Sequence, residues 1–226
     1  GCISLTSVIF GEFGGINLNW TNQMFDGCTS LLYVDLSSFY PSKLIDMDKM
    51  FQGCSSLKSL NISNFDTSRV TRLSCMFKDC YNLTSIDLSG FDTFNVTDME
   101  QVFRNCFSLI SINLSNFNTS KVKNINSLFN CCTSLSFVNI SNFDTSQLIF
   151  SGHLFNGSMC LLSVDLPIFK KVQYIDNMFA GCISLTSLNL KNIFIDEIIK
   201  EKNMFKNCYN LKYINLQNFK ENNNVN

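Results

Sequence analysis

The chain is poor in the residues that most enzymes and many binding proteins depend on. In 226 residues there is one histidine, His153, so most acid–base and metal chemistry has no imidazole to work with. Charged residues make up 15% and balance to a net charge of −1, without a basic stripe or a polybasic run. A nucleic-acid partner would need such a stripe to neutralise phosphates, and an anionic membrane surface would need the run. No apolar stretch is long enough to cross a bilayer as a helix. Two prolines and ten glycines exclude collagen-like and proline-rich linker readings. No glycine-rich phosphate loop, G-x-S-x-G elbow or H-E-x-x-H helix occurs. Catalysis is therefore disfavoured. With 46% apolar residues the chain can still build a core.

What it does have in excess is phenylalanine, 22 residues, and cysteine, 11. One repeat accounts for both. Phe25, Phe51, Phe77, Phe103, Phe129, Phe155, Phe179 and Phe205 recur at 26 residues, with one interval of 24. Three positions after each stands Cys28, Cys54, Cys80, Cys106, Cys132, Cys182 or Cys208, with Ser158 in the remaining repeat and Cys2 upstream of them all. Leu follows at six, aliphatics at nine and eleven, and a second aromatic column at fourteen: Phe39, Phe65, Phe91, Phe117, Phe143, Phe169 and Phe219, with Ile193 as the variant. Phe13 belongs to the partial first repeat. A column so regular is a stacked core, since no single unit can bury its apolar face alone.

Within one unit, Leu57-x-x-Leu60-x-Ile62 has the spacing of a leucine-rich repeat, and its last two apolar residues alternate as in a strand. Asn64-Phe65-Asp66-Thr67-Ser68 reads as a turn, because these short polar side chains bond nearby backbone amides. Val70, Leu73, Met76 and Phe77 then predict a short α or 3₁₀ return segment. The expected fold is one leucine-rich-repeat solenoid over 1–226, about 8.7 repeats wound as a right-handed superhelix, with one parallel β-sheet and short helical returns. The two-residue loss at Phe169–Val172 should tighten an outer loop, and residues 191–203 should be locally distorted. The chain starts in mid-repeat, which predicts a piece of a longer protein.

The run from Met76 to Met99, MFKDCYNLTSIDLSGFDTFNVTDM, closely resembles the 26-residue surface-protein repeat, the BspA-like or mycoplasma-type leucine-rich repeat. The resemblance extends over nearly the whole chain. It implies a surface-exposed, non-catalytic solenoid used in adhesion, located at the cell surface or outside the cell. An intracellular or complex-embedded scaffold holding partner proteins is the alternative, and eleven reduced cysteines would suit it.

Candidate sites follow from the columns. The cysteine spacing is not that of a zinc site, whose ligands come in pairs two to four residues apart. Buried free thiols are favoured over disulfides, with Cys131 or Cys132 and Cys160 the first pair to check. On the outward strand face, Asp35, Asn61, Asp87, Asn113, Asn139, Asp165, Asn189 and Asn215 form a column ten positions after each marker Phe. It reads either as a side-chain ladder along the stack or as a polar binding groove. Ser columns flank it, including Ser37, Ser63, Ser89, Ser115 and Ser141, and Tyr33, Phe137 and Tyr213 interrupt one of them as candidate anchors for a protein or glycan. Neighbouring copies or further repeats of the same chain are other possible partners, and no cofactor is indicated. Of the Asn-x-Ser/Thr acceptors, Asn82, Asn95, Asn118 and Asn156 fall in turns and returns where a glycan could project. His153 is expected to be an exposed or capping residue of a return segment.

Overall fold

The computed structural model describes residues 1–10, 18–36, 38–191, 193–194 and 198–217. Phe13, Ser37, Phe219, the tail from Glu221 and the middle of the variant repeat at 195–197 lie outside the described residues. The chain winds as a repeat solenoid, and six of its rungs contribute one short strand each: β1 (Ser7–Ile9), β2 (Tyr33–Asp35), β3 (Phe137–Asn139), β4 (Ser163–Asp165), β5 (Ser187–Asn189) and β6 (Tyr213–Asn215). Each strand turns its middle residue to the core and its flanking residues outward, the period-two alternation of Phe137-Val138-Asn139 being typical. Pairing is parallel and in register at one-repeat spacing, as in Val138 opposite Val164.

The expectation of one continuous sheet is overturned. The strands form three two-stranded sheets, β1–β2, β3–β4 and β5–β6. In the rungs between β2 and β3, at 59–61, 85–87 and 111–113, no strand forms. The uninterrupted ladder lies on the opposite arm, where parallel bridges run Trp20–Asp46–Arg72–Asp98–Asn124–Phe150–Tyr174–Lys200.

The expected helical return is corrected too: the described residues contain no helix. A helix would send every amide to a carbonyl three or four residues back. Here the amides alternate. In one rung Leu73, Cys75, Phe77 and Asp79 donate to the next rung's Asp98, Glu100, Val102 and Arg104 carbonyls at 2.8–3.1 Å. Between them Met76, Lys78 and Cys80 donate to Leu73, Cys75 and Phe77 of their own rung at 3.1–3.2 Å. The arm is thus a run of overlapping β-turns, and positive φ recurs at Cys75 (58°) and Asp79 (62°), as a type II turn requires of its third residue. Four rungs place glycine at the second of these positions: Gly27, Gly53, Gly157 and Gly181.

Between the arms sits a single core. The eight marker rings stack from Phe25 to Phe205 with centroids 5.3–6.3 Å apart and planes within 14° of parallel. The stack survives the shortened repeat, where Phe155 and Phe179 are 5.6 Å apart and Phe169 and Val172 stay buried. In the variant repeat Ile193 is buried in the second aromatic column, while Glu201 points to solvent.

Polar side chains tie rung to rung. The column thiols of Cys54, Cys80, Cys106, Cys132, Cys182 and Cys208 each donate to the carbonyl of the marker Phe one rung back, as Cys106 Sγ does to Phe77 at 3.2 Å, and Ser158 Oγ makes the same bond to Phe129 at 2.8 Å. Buried Thr93 donates to the Asn118 carbonyl at 3.0 Å and accepts the Asn118 amide at 2.8 Å. All eleven cysteines are free thiols, Cys131 and Cys160 included.

Candidate functional site

On the strand face, Tyr33, Phe137 and Tyr213 each occupy the first position of a strand, so all three rings point outward, with 54%, 46% and 63% of their surface exposed. They are not brought together. Four rungs separate the first pair and three the second, about 19 Å and 14 Å at ~4.8 Å per rung. Two of them adjoin hollows. Tyr33 borders one of 540 Å³ with Asp35, Ser59 and Asn61, and Phe137 borders one of 320 Å³ with Asn113, Asn139 and Ser141.

The Asp/Asn column between them does not bond along the stack at the positions where its contacts are resolved. Each Oδ1 accepts the amide two residues on in its own rung: Asn61 from Ser63 (3.1 Å), Asp87 from Ser89 (2.9 Å), Asn113 from Ser115 (3.0 Å) and Asn139 from Ser141 (3.0 Å). Asn189 and Asn215 repeat this with Lys191 and Gln217. The column therefore closes the turn that ends each strand, which explains its restriction to two residue types with an acceptor at Oδ1. At Asp87 the amide and hydroxyl of Ser89 hold the carboxyl below its usual range. Asp165 is exposed in β4, in register with Asn139. The asparagines that do bridge rungs lie three positions further on. Asn64 donates to the Leu36 and Phe39 carbonyls at 2.9 and 3.1 Å, and Asn116 does the same to Leu88 and Phe91 at 3.1 Å.

The acceptor asparagines divide. Asn82 and Asn118 are exposed, whereas Asn95 and Asn156 are half-buried. Asn95 Nδ2 donates to the Ser68 carbonyl at 2.8 Å, and Asn156 Nδ2 lies 3.2 Å from His153 Nδ1. Asn82 Nδ2 is also engaged, with the Ser55 carbonyl at 2.9 Å, and Asn118 caps Ser120 through its oxygen.

A second polar face, which the sequence reading passed over, follows the continuous ladder of the turn arm. Trp20, Phe150 and Tyr174 stand in this otherwise polar column, and Phe150 and Tyr174 stack at 4.9 Å. Their recurrence five positions before the marker Phe was the available signal. Half-buried His153 lies here, its Nε2 3.3 Å from Asp176 Oδ2, which Lys200 approaches at 3.5 Å. Further along, Arg72 Nε donates to Asp48 Oδ2 at 2.6 Å. Burial nevertheless pushes the Asp48 carboxyl above its ordinary range, because desolvation outweighs the Arg72 bond. Asp98 is raised for the same first reason. The described residues contain no group of three or more His, Cys, Asp or Glu placed to hold a metal, and no helix long and apolar enough to cross a membrane.

Burial also sets the state of the cysteine column. The thiol of Cys54 is pushed up to about 12, and those of Cys80 and Cys106 well above the usual value, so these three thiols stay neutral and are poor nucleophiles.

Comparison with known proteins gives a consistent picture. The chain is similar to the solved leucine-rich repeat protein TpLRR of T. pallidum, at 21% identity over 91% of this chain and 78% of that one, with a TM-score of 0.47. It is similar to a leucine rich cell surface protein of Faecalibacterium prausnitzii at 19% identity, over 93% and 79%, with a TM-score of 0.32. A leucine-rich repeat protein of Bacteroides ovatus matches at 20% identity over 95% and 79%, with a TM-score of 0.23. No curated protein matches. The model described as "Mycoplasma protein of unknown function, DUF285" matches residues 19–136, 85–169 and 107–219, in overlapping registers of the same repeat. The chain belongs to this mycoplasma-type repeat family, the one its 26-residue motif resembles.

Proposed function

We propose that the chain is a non-catalytic binding module of a cell surface, presenting its strand face to protein or glycan partners. One observation carries this reading: large aromatic rings, Tyr33, Phe137 and Tyr213, are held exposed at strand starts on a face whose other outward strand positions, Ile9 apart, are Ser, Asp and Asn. A folded monomer gains nothing from exposing them, and rings with two side-chain torsions contribute contact area at small entropic cost. The turn-closing bonds of Asn61, Asp87, Asn113 and Asn139 hold the polar floor rigid beside them. Asn82 and Asn118, both exposed, are the acceptors from which a glycan would project.

The test is binding of the purified chain to host-cell monolayers and to a glycan array. Phe137→Ser or Tyr33→Ser should weaken it by ~1–2 kcal/mol while moving the melting temperature little. Full binding by both variants would remove the strand face from consideration. A second reading, a scaffold in a reducing compartment, is favoured by the free state of all eleven cysteines. Intact mass of the natural protein separates the two: added glycan mass supports the surface module, and an unmodified, fully reduced chain supports the scaffold.

A further inference from the structure

The turn arm carries a second hollow surface, chemically unlike the strand face. Two shallow hollows of 380 and 370 Å³ lie next to each other along the ladder, and Asn124 and Phe150 border both. Both volumes fall at the lower end of small-ligand sites, about 300–1,000 Å³. Phe150 is 40% exposed and is backed by Tyr174 at 4.9 Å, so the ring is fixed before any ligand arrives. The amide of Asn124 is oriented by a 3.2 Å bond to Glu100 Oε2, and its Oδ1 accepts the Asn126 amide at 2.9 Å. The backbone beneath is the one arm whose inter-rung ladder is unbroken.

Three acids and three bases border the two hollows. Glu100, Asp98 and Asp176 face Arg72, Lys123 and Lys200. Two of these cations are already paired, Arg72 with Asp48 and Lys200 with Asp176. That leaves Lys123 beside Asp98 and Glu100, so a nucleic acid or acidic polysaccharide would find no cluster of unpaired cations here. An uncharged ligand with an apolar face and a rim of hydroxyls would find both of its needs met. The fixed ring takes the C–H face, and the planar amides and carboxylates, which offer paired donors or acceptors, take neighbouring hydroxyls.

We propose that the groove along the turn arm, centred on Phe150, Tyr174 and Asn124, binds a neutral hexopyranose segment of a glycan. It is independent of the strand face, and a ligand could occupy both faces of one molecule. The column supplies its own benign substitution, since Asn already stands at the equivalent position of the preceding rung.

The experiment is saturation-transfer difference NMR with titration calorimetry on the whole chain. Maltohexaose, cellohexaose, mannohexaose and chitohexaose are the neutral probes, and heparin hexasaccharide is the charged control. At least one neutral hexamer should bind, and Phe150→Asn and Tyr174→Asn should each weaken it tenfold or more without moving the melting temperature. Tyr40→Ser, an exposed position bordering neither these hollows nor a strand start, should bind the hexamer like the parent chain. Failure of all four neutral probes, preferential binding of heparin, or unchanged affinity in Phe150→Asn overturns the proposal.

Discussion

Asp98 is a half-buried carboxylate in the ladder column, and its Oδ1 accepts the Glu100 amide at 3.0 Å. The next rung makes the same bond from an uncharged residue, Asn124 to Asn126. Burial raises the Asp98 carboxyl above its unfolded value. A group shifted that way favours folding below its unfolded pKa, and that contribution is lost as pH rises through the folded one. At neutral pH the ionised side chain therefore costs stability that an amide would not. Asp98→Asn should melt higher than the parent at pH 7, and the gain should vanish by about pH 3, below the ~3.9 of a free Asp. Thermal melts across that range check it, and a gain independent of pH would assign the effect to something other than charge burial. The exposed turn caps have the opposite sign. Hydrogen bonds from Ser68, Ser89 and Ser146 lower Asp66, Asp87 and Asp144, so their contribution is present above the unfolded pKa and is lost as pH falls through the folded one.

At the scale of the element, the turn arm separates what the sequence made legible from what it did not. The core columns could be read directly, because a buried position in a stack must be filled in every rung: Phe77, Phe103 and Phe129, or Leu83, Leu109 and Leu135, have no other reason to recur. The return segment was misread because Val70, Leu73, Met76 and Phe77 satisfy helical spacing equally well when overlapping turns point them at the core. A better signal lay two positions after the marker Phe. Gly27, Gly53, Asp79, Asn105, Gly157, Gly181 and Asn207 are the residues that tolerate positive φ, and every one adopts it. The Asp/Asn column bonds within each rung and not along the stack, a difference its composition could not show, since the i to i+2 closure and a ladder between rungs demand the same residue types. Lys49 tests the conformation of the arm, holding φ at 58°. In a helix, Gly there would be worse than Val by a few tenths of a kcal/mol. In the turn arm the order reverses: Lys49→Val should cost about 1–2 kcal/mol, and Lys49→Gly should be neutral or stabilising by up to about 1 kcal/mol. Denaturant unfolding of the pair distinguishes the two geometries.

Across the whole molecule, every inter-rung bond described above joins neighbours about one repeat apart, so stability is built from local interfaces and not from a single global one. Phe103 lies mid-stack, fully buried between Phe77 at 5.7 Å and Phe129 at 5.6 Å. Phe103→Ala should cost about 3–5 kcal/mol by chemical denaturation. A loss below about 1 kcal/mol would mean that the rings are not the structural centre. The split between the two arms has a mechanical consequence. Along the turn arm, hydrogen bonds run parallel to the solenoid axis from rung to rung, whereas on the strand arm strand pairing is absent from 59–61 to 111–113 and sparser bonds remain, such as Thr84 to Lys58 and Ile110 to Thr84. The molecule is therefore a beam with one densely bonded edge and one more sparsely bonded edge. It resists stretching of the turn side and yields by bending at its middle rungs, so a tug along its length would first change its curvature, fanning the strand face open or closed before any rung is lost.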